Sequence, residues 1–169
     1  MSSEINWGSG SGQQSVTSTL DSDKKESLWL VNNPDGMAEC ETGEVINCNS
    51  ILRLQHLSTG KNLHSHSFRS PLTGQQEVSG FGAEGTGDIS DNWQLLCETS
   101  ANKSWEVGSP FRLKHVDTGK FLASSSQSKF TNQNCPNCPI VGQLEVAATS
   151  KMGEGSRWVV QRGVMVSMN

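Results

Sequence analysis

Two segments of the chain alternate apolar and polar residues in the way that half-buried strands do. They are Leu52-Arg53-Leu54-Gln55-His56 and Phe111-Arg112-Leu113-Lys114-His115. In each segment every second side chain points to the same face of a strand. A Thr-Gly-Lys sequence follows each segment, with Gly60 and Gly119 where a hairpin needs a positive φ. No window shows the i, i+3, i+4 apolar spacing of a helix, so the pattern predicts short antiparallel strands.

A second block is repeated at three places along the chain. Gly12-Gln13-Gln14-Ser15-Val16 returns as Gly74-Gln75-Gln76-Glu77-Val78 and as Gly142-Gln143-Leu144-Glu145-Val146. A tryptophan follows each copy at a similar distance. Residues that recur in every copy are expected to build the interior of the repeat. The predicted repeat core comprises Val16, Val78 and Val146 together with Trp29, Trp93 and Trp158.

These repeats predict an all-β fold in a single domain that spans residues 1–169. Three units of about four strands must hide their edges, and closing the sheet into a barrel with threefold pseudosymmetry does so. The prediction is therefore a β-trefoil with repeats at about 1–48, 49–107 and 108–169. Repeat one lacks the Arg-Leu-x-His and Thr-Gly-Lys block of the other two. We expect the native chain to begin earlier, or another segment to fill that place.

Composition limits the function that this domain can have. The 169 residues carry a net charge of −4 and are 33% hydrophobic. Nucleic acid is not expected as a partner, because binding it needs clustered Lys and Arg. No apolar run approaches the roughly 20 residues of a membrane span. Nucleophile-elbow, phosphate-loop and His-Glu-x-x-His motifs are also missing from the sequence. We therefore predict a protein that is not an enzyme and needs no cofactor.

The pairing of the cysteines depends on the redox compartment, and the sequence leaves most of it open. Cys40 and Cys48 flank a turn-like stretch, and we predict a disulfide between them, with two separate thiols as the alternative. Cys135 and Cys138 either close a small bridge or stay reduced. Cys97 lies in an apolar run and is the natural candidate for an unpaired, buried thiol.

His64 and His66 form the sharpest candidate pair for binding. At positions i and i+2 of a strand they share one face, where both imidazoles could meet a ligand or a partner. The alternative is that both serve as structural hydrogen-bonding groups. A metal site is not predicted, because no third and fourth ligand occurs at a compatible spacing.

Two glutamine pairs add candidate contacts for hydroxyl-rich ligands. Side-chain amides both donate and accept hydrogen bonds, which suits sugars. The alternative is that they serve the architecture of the repeat, since the first glutamine recurs in every copy. The candidates are Gln13, Gln14, Gln75 and Gln76.

Several of these stretches resemble a known motif. They are Gly8-Ser9-Gly10-Ser11-Gly12-Gln13-Gln14-Ser15-Val16-Thr17, Thr59-Gly60-Lys61-Asn62-Leu63-His64-Ser65-His66, Ser70-Pro71-Leu72 and Gln76-Glu77-Val78-Ser79. Together they resemble the MIR motif, and the threefold arrangement resembles the stromal cell-derived factor 2 family. Repeat three departs from the pattern, since it lacks the His-Ser-His sequence and carries an additional Cys135-Pro-Asn-Cys138 loop.

The resemblance implies a β-trefoil of the endoplasmic reticulum lumen without catalytic activity. It also implies association with a BiP-type chaperone, its J-domain co-chaperone and unfolded client proteins in protein quality control. The chain carries neither a signal peptide nor a Lys-Asp-Glu-Leu-type tail, while Asn102 begins a glycosylation acceptor tripeptide. The alternatives are a lectin-like module for O-mannosyl or related glycans, and the soluble MIR portion of a protein O-mannosyltransferase.

Overall fold

The computed structural model describes residues 5–19, 24–38, 40–98 and 103–163. In these ranges the chain forms short strands, three single-turn 3₁₀ helices and loops, and no helix there has the length and apolar character to cross a bilayer. The 3₁₀ helices are Lys25–Ser27, Ile89–Asp91 and Glu154–Ser156. The strands are β1 (Gln14–Ser15), β2 (Thr17–Ser18), β3 (Trp29–Asn32), β4 (Ile51–His56), β5 (Asn62–Arg69), β6 (Gln76–Phe81), β7 (Trp93–Cys97), β8 (Pro110–His115), β9 (Phe121–Lys129), β10 (Leu144–Thr149) and β11 (Trp158–Val159).

Seven of these strands close into an antiparallel barrel. The ring runs β4-β5-β6-β10-β9-β8-β7 and returns to β4. Pairing of β6 with β10 closes one seam, and pairing of β7 with β4 closes the other. The shorter strands β1, β2, β3 and β11 attach to β6, β10, β4 and β8. Closure leaves no free edge on the ring, which protects it from pairing with other chains.

The all-β prediction is confirmed, but the predicted β-trefoil of three repeats is wrong. The observed fold is a closed seven-stranded barrel with additional strands. All ring strands lie between residues 51 and 149, whereas residues 5–19 and 24–38 contribute strands of two, two and four residues beside the ring. Strands that short cannot supply a third of a closed barrel. Repetition of sequence blocks therefore revealed the hairpins but not how many strands close the ring.

The barrel interior is filled by the apolar side chains of the alternating strands. Val16, Val78 and Val146 are buried there, and Trp93 is fully buried. Trp29 and Trp158 are half-buried and pack against the same core. The remaining buried members of this core are Leu52, Leu54, Leu63, Leu95, Phe111, Leu113, Leu122 and Ala148.

The indole N–H groups of two tryptophans bond to strand carbonyls at related places. Trp93 Nε1 donates to the Leu63 carbonyl at 2.8 Å, and Trp158 Nε1 donates to the Leu122 carbonyl at 2.9 Å. Leu63 and Leu122 are each the second residue of the strand that follows a Thr-Gly-Lys turn. The two later repeats therefore place their tryptophans in the same way.

The disulfides differ from the predicted pairing. Cys48 is bonded to Cys97, 49 residues away, and Cys40 is a free thiol. The predicted Cys40–Cys48 bridge and the predicted free Cys97 are therefore wrong. Backbone hydrogen bonds from Asn49 N to Leu95 O and from Leu95 N to Ser50 O hold the two segments together. Tertiary pairing, not closeness in sequence, thus selects the partner of Cys48.

The other thiols have distinct surroundings. Cys135 and Cys138 form the second disulfide, beside a small apolar cluster of Trp7, Phe130 and Ile140. The Cys40 thiol lies 3.1 Å from Asn33 Oδ1, and burial raises its pKa above the ordinary value. Cys40 is therefore held in its protonated, weakly nucleophilic form.

Candidate functional site

A bulge in strand β5 shapes the most exposed aromatic surface of the barrel wall. Pairing with β6 runs in register to Ser65 opposite Val78 and resumes at Arg69 opposite Gln76. Residues 66, 67 and 68 therefore lie opposite a single residue of β6. Bulges redirect side chains out of a sheet. The Phe68 side chain is consequently 50% exposed.

The His66 ring packs against Phe68 and is itself held by a buried carboxylate. Its Nε2 donates to Glu77 Oε1 at 3.2 Å, and its ring lies 4.9 Å from the rings of both Phe68 and His64. Glu77, the residue opposite the bulge, is 1% exposed and also accepts hydrogen bonds from the backbone N–H and hydroxyl of Ser11. A buried carboxylate thus fixes the imidazole, and the imidazole supports the exposed phenyl ring.

His64 lies in a different environment from His66. It is buried, its Nδ1 donates to Asp91 Oδ1 at 2.8 Å, and the Phe81 ring packs against it at 4.6 Å. Asp91 Oδ2 accepts from Asn62 Nδ2 at 3.2 Å and from Asp88 N at 2.8 Å. Although His64, Asp88 and Asp91 place ligand-type atoms within 4.8 Å of one another, donors of the protein already use both Asp91 oxygens. This geometry is that of a structural hydrogen-bond network.

The four candidate glutamines are not brought together on one surface. Gln13 Oε1 accepts from Ser79 Oγ at 2.6 Å, and Gln14 is buried. Gln76 is also buried, and its Nε2 donates to Ser65 Oγ at 2.8 Å and to Thr118 Oγ1 at 3.1 Å. Gln75 alone among the four is exposed. Ligand contact therefore remains a prediction chiefly for Gln75 and for the accessible part of His66.

Two buried glutamates were not among the functional residues predicted from the sequence. Glu77 and Glu145 occupy the same place in the repeated block, where the first copy has Ser15. Glu145 accepts from Leu72 N at 2.7 Å and from Thr73 N at 3.1 Å, so it holds the turn before β6. The signal was an acidic residue directly before a core valine in two copies. Such a residue must find buried donors.

His56 and His115 form a matched pair in the two hairpins. Each Nδ1 lies beside a threonine hydroxyl, Thr59 at 2.8 Å and Thr118 at 2.9 Å. Each Nε2 faces a backbone carbonyl at 3.1 Å and 2.8 Å respectively. Because a carbonyl can only accept, Nε2 carries the proton and Nδ1 accepts from the hydroxyl. Burial lowers the pKa of both imidazoles below the ordinary value.

A shallow cleft of about 350 Å³ opens beside the β5 bulge. We call it the bulge cleft. The lining combines an aromatic ring, two cations and the exposed Gln75 amide, beside the buried amide of Gln76. The cleft is lined by Ser67, Phe68, Arg69, Gly74, Gln75, Gln76 and Lys120.

The candidate glycosylation site, Asn102, lies outside the described residues.

Comparison with known proteins identifies the family. The family model of the MIR domain matches residues 8–104. A stromal cell-derived factor 2-like protein of Dictyostelium discoideum is 41% identical over 157 residues, which cover 93% of this chain and 70% of that protein. The chain belongs to the stromal cell-derived factor 2 family.

Solved structures place this family member beside two kinds of protein. The SDF2-like protein from Arabidopsis thaliana matches with a TM-score of 0.87 and 35% identity, covering 99% of this chain and 88% of that one. The S. cerevisiae protein O-mannosyltransferase Pmt1-Pmt2 complex bound to the sugar donor matches with a TM-score of 0.77 and 25% identity. The second match covers 95% of this chain but 22% of the mannosyltransferase chain. The same fold therefore makes up most of the SDF2-like protein and a smaller part of a chain of the mannosyltransferase complex.

We expect His56 and His115 to make the stability of this family member sensitive to acid, because the pKa of each is lowered by burial. A histidine whose pKa is lower in the folded state stabilises the fold fully above its unfolded pKa of about 6.5, and that stability is lost as the pH falls below it. We expect Tm, followed by circular dichroism, to fall between about pH 7.5 and pH 5.5. His56→Gln combined with His115→Gln is expected to flatten this dependence. An unchanged slope in the double variant would show that other groups cause it.

Proposed function

We propose that the chain is a non-catalytic binding module of the endoplasmic reticulum lumen. It acts with a BiP-type chaperone and a J-domain co-chaperone on unfolded client proteins in protein quality control. Membership of the stromal cell-derived factor 2 family is the observation that carries this proposal. The two disulfides suit an oxidising compartment such as this lumen.

The chemistry of the buried groups supports binding over catalysis. His64 donates to Asp91, and Glu77 accepts from both His66 and Ser11. A general base or nucleophile needs a free position directed at a substrate. Here the buried carboxylates hold neighbouring loops and rings in place, which favours a rigid surface that recognises partners.

Affinity capture from a lumen extract tests this proposal. The immobilised, oxidised chain should recover a BiP-type chaperone and a J-domain protein, and purified partners should then bind it directly. A matched control is the same chain after reduction and denaturation, since it presents the same composition without the folded surface. Recovery of neither partner, or equal recovery by both forms, would contradict chaperone association.

Glycan binding is the second candidate function, and the exposed Phe68 ring favours it. Aromatic faces and side-chain amides are typical of sites for hydroxyl-rich ligands, and Gln75 lies beside this ring in the bulge cleft. The likeness to a mannosyltransferase complex makes O-mannosyl or related glycans the first class to test on an array. His66→Ala should weaken such binding, whereas His64→Ala alters a buried network and reports on folding instead.

A third arrangement is that the chain forms the soluble MIR portion of a protein O-mannosyltransferase. The likeness in fold to the Pmt1-Pmt2 complex favours it. The parent reading frame decides this, because such an enzyme would encode several membrane spans beside this domain. A reading frame with a leader peptide and no spans would instead support the small luminal protein.

A further inference from the structure

We propose that the bulge cleft binds a sugar that carries a negative charge, as a carboxylate, sulfate or phosphate group. This inference rests on the glycan-binding candidate above and specifies its ligand class. Three features of the cleft carry the inference: a supported aromatic ring, a cationic lining and one exposed amide.

The Phe68 ring is held in an exposed position by its neighbours. The bulge places Phe68 outside the β5–β6 ladder, where half of its surface meets solvent. The His66 ring lies at 4.9 Å and 62° to it, and His66 is itself fixed by Glu77. Single exposed apolar residues are common on protein surfaces, so this ring is informative because it is fixed in place and lines the cleft together with two cations. The flat C–H face of a sugar ring suits such a surface.

The charges that line the cleft point to an anionic ligand. Arg69 and Lys120 lie in its wall, while none of the lining residues is acidic, in a chain of net charge −4. None of the ion pairs within the described part of the chain uses either cation. Glu77 lies behind the wall and is 1% exposed. Guanidinium groups bind carboxylate and phosphate oxygens through paired, charge-assisted hydrogen bonds.

The exposed amide and the size of the cleft point to a sugar. Gln75 is exposed, whereas the neighbouring Gln76 is buried and donates to Ser65 and Thr118. The cleft volume of about 350 Å³ is at the small end of ligand sites, which suits roughly one or two sugar rings. Addition of a peptide as a further strand is not available here, because β5 and β6 are each paired on both sides.

Titration of the full oxidised chain with defined sugars tests the inference. The probes are mannose 6-phosphate, glucuronic acid and neutral mannose, with inorganic phosphate as the sugar-free anion. We expect each charged sugar to bind at least about tenfold more tightly than mannose or phosphate alone, by calorimetry or NMR. A preference between the first two probes identifies which anion the site takes.

Matched variants locate the binding site. Phe68→Ala, Arg69→Gln and Lys120→Gln are each expected to weaken binding of the charged sugar by about tenfold. Lys61→Gln is the control, because Lys61 occupies the same position in the other Thr-Gly-Lys turn and lies outside the cleft. It should leave the affinity unchanged. Thermal unfolding of every variant checks that the fold is retained.

The possible outcomes separate this inference from the proposed functions. Equal binding of mannose and charged sugars, with no effect of Arg69→Gln or Lys120→Gln, would overturn the inference and leave glycan binding intact. Failure of every sugar to bind would overturn both glycan proposals but not chaperone association. If Phe68→Ala fails to fold, the two charge variants with the Lys61→Gln control still decide the result.

Discussion

Replacing Cys48 and Cys97 together by serine is expected to lower the free energy of unfolding by about 4 kcal/mol. The bridge spans 49 residues, and closing a loop of that length removes much of the conformational freedom of the unfolded chain. It also ties the segment before β4 to the end of β7, next to the seam that closes the barrel. A loss of this size is a large fraction of the stability of a typical domain.

The second disulfide provides the matched control for that experiment. Cys135 and Cys138 are three residues apart, so their bridge is expected to contribute only about 2 kcal/mol by the same loop-closure argument. Urea denaturation of the two double variants measures the difference. Cys40→Ser should be nearly neutral, because its thiol is in no bridge. A larger loss from Cys135 and Cys138 than from Cys48 and Cys97 would contradict the loop-length argument.

Trp93→Ala is expected to destabilise the fold by about 3–5 kcal/mol, as truncation of a buried aromatic residue does. The side chain is 0% exposed and packs against the His115 ring at 4.9 Å. It stands opposite Leu52 across one seam and opposite His115 on β8. Truncation leaves a cavity at that seam and removes the donor to the Leu63 carbonyl.

Trp158→Ala is the comparison that isolates burial. Trp158 makes the corresponding hydrogen bond to Leu122, but it is half-buried at the outer strand β11. We expect a clearly smaller loss of stability than for Trp93→Ala, measured by urea denaturation. Trp93→Phe should fall between the two, because it keeps most of the apolar volume and leaves the Leu63 carbonyl unsatisfied. Equal losses of stability at positions 93 and 158 would show that the position in the repeat, not the degree of burial, determines how much each tryptophan contributes to stability.

The sequence determined the local features of this protein. Alternation of apolar and polar residues predicted β4 and β8, and the observed strands begin one residue earlier than the predicted segments. Gly60 and Gly119 have φ of 66° and 69°, as their hairpin turns require. The repeated motifs also identified the family. Each of these features depends on residues close together in the chain, where periodicity and turn chemistry act directly.

Only the tertiary structure decided how those pieces combine. Seven strands close the barrel where a trefoil of three repeats, the first incomplete, was predicted, Cys48 bonds to Cys97, and Glu77 meets donors from Ser11. The bulge that exposes Phe68 depends on the register between β5 and β6. Strand number, register and disulfide partner are set by contacts between segments distant in sequence. Local patterns do not encode such contacts individually, because many pairings satisfy the same alternation until the whole ring closes.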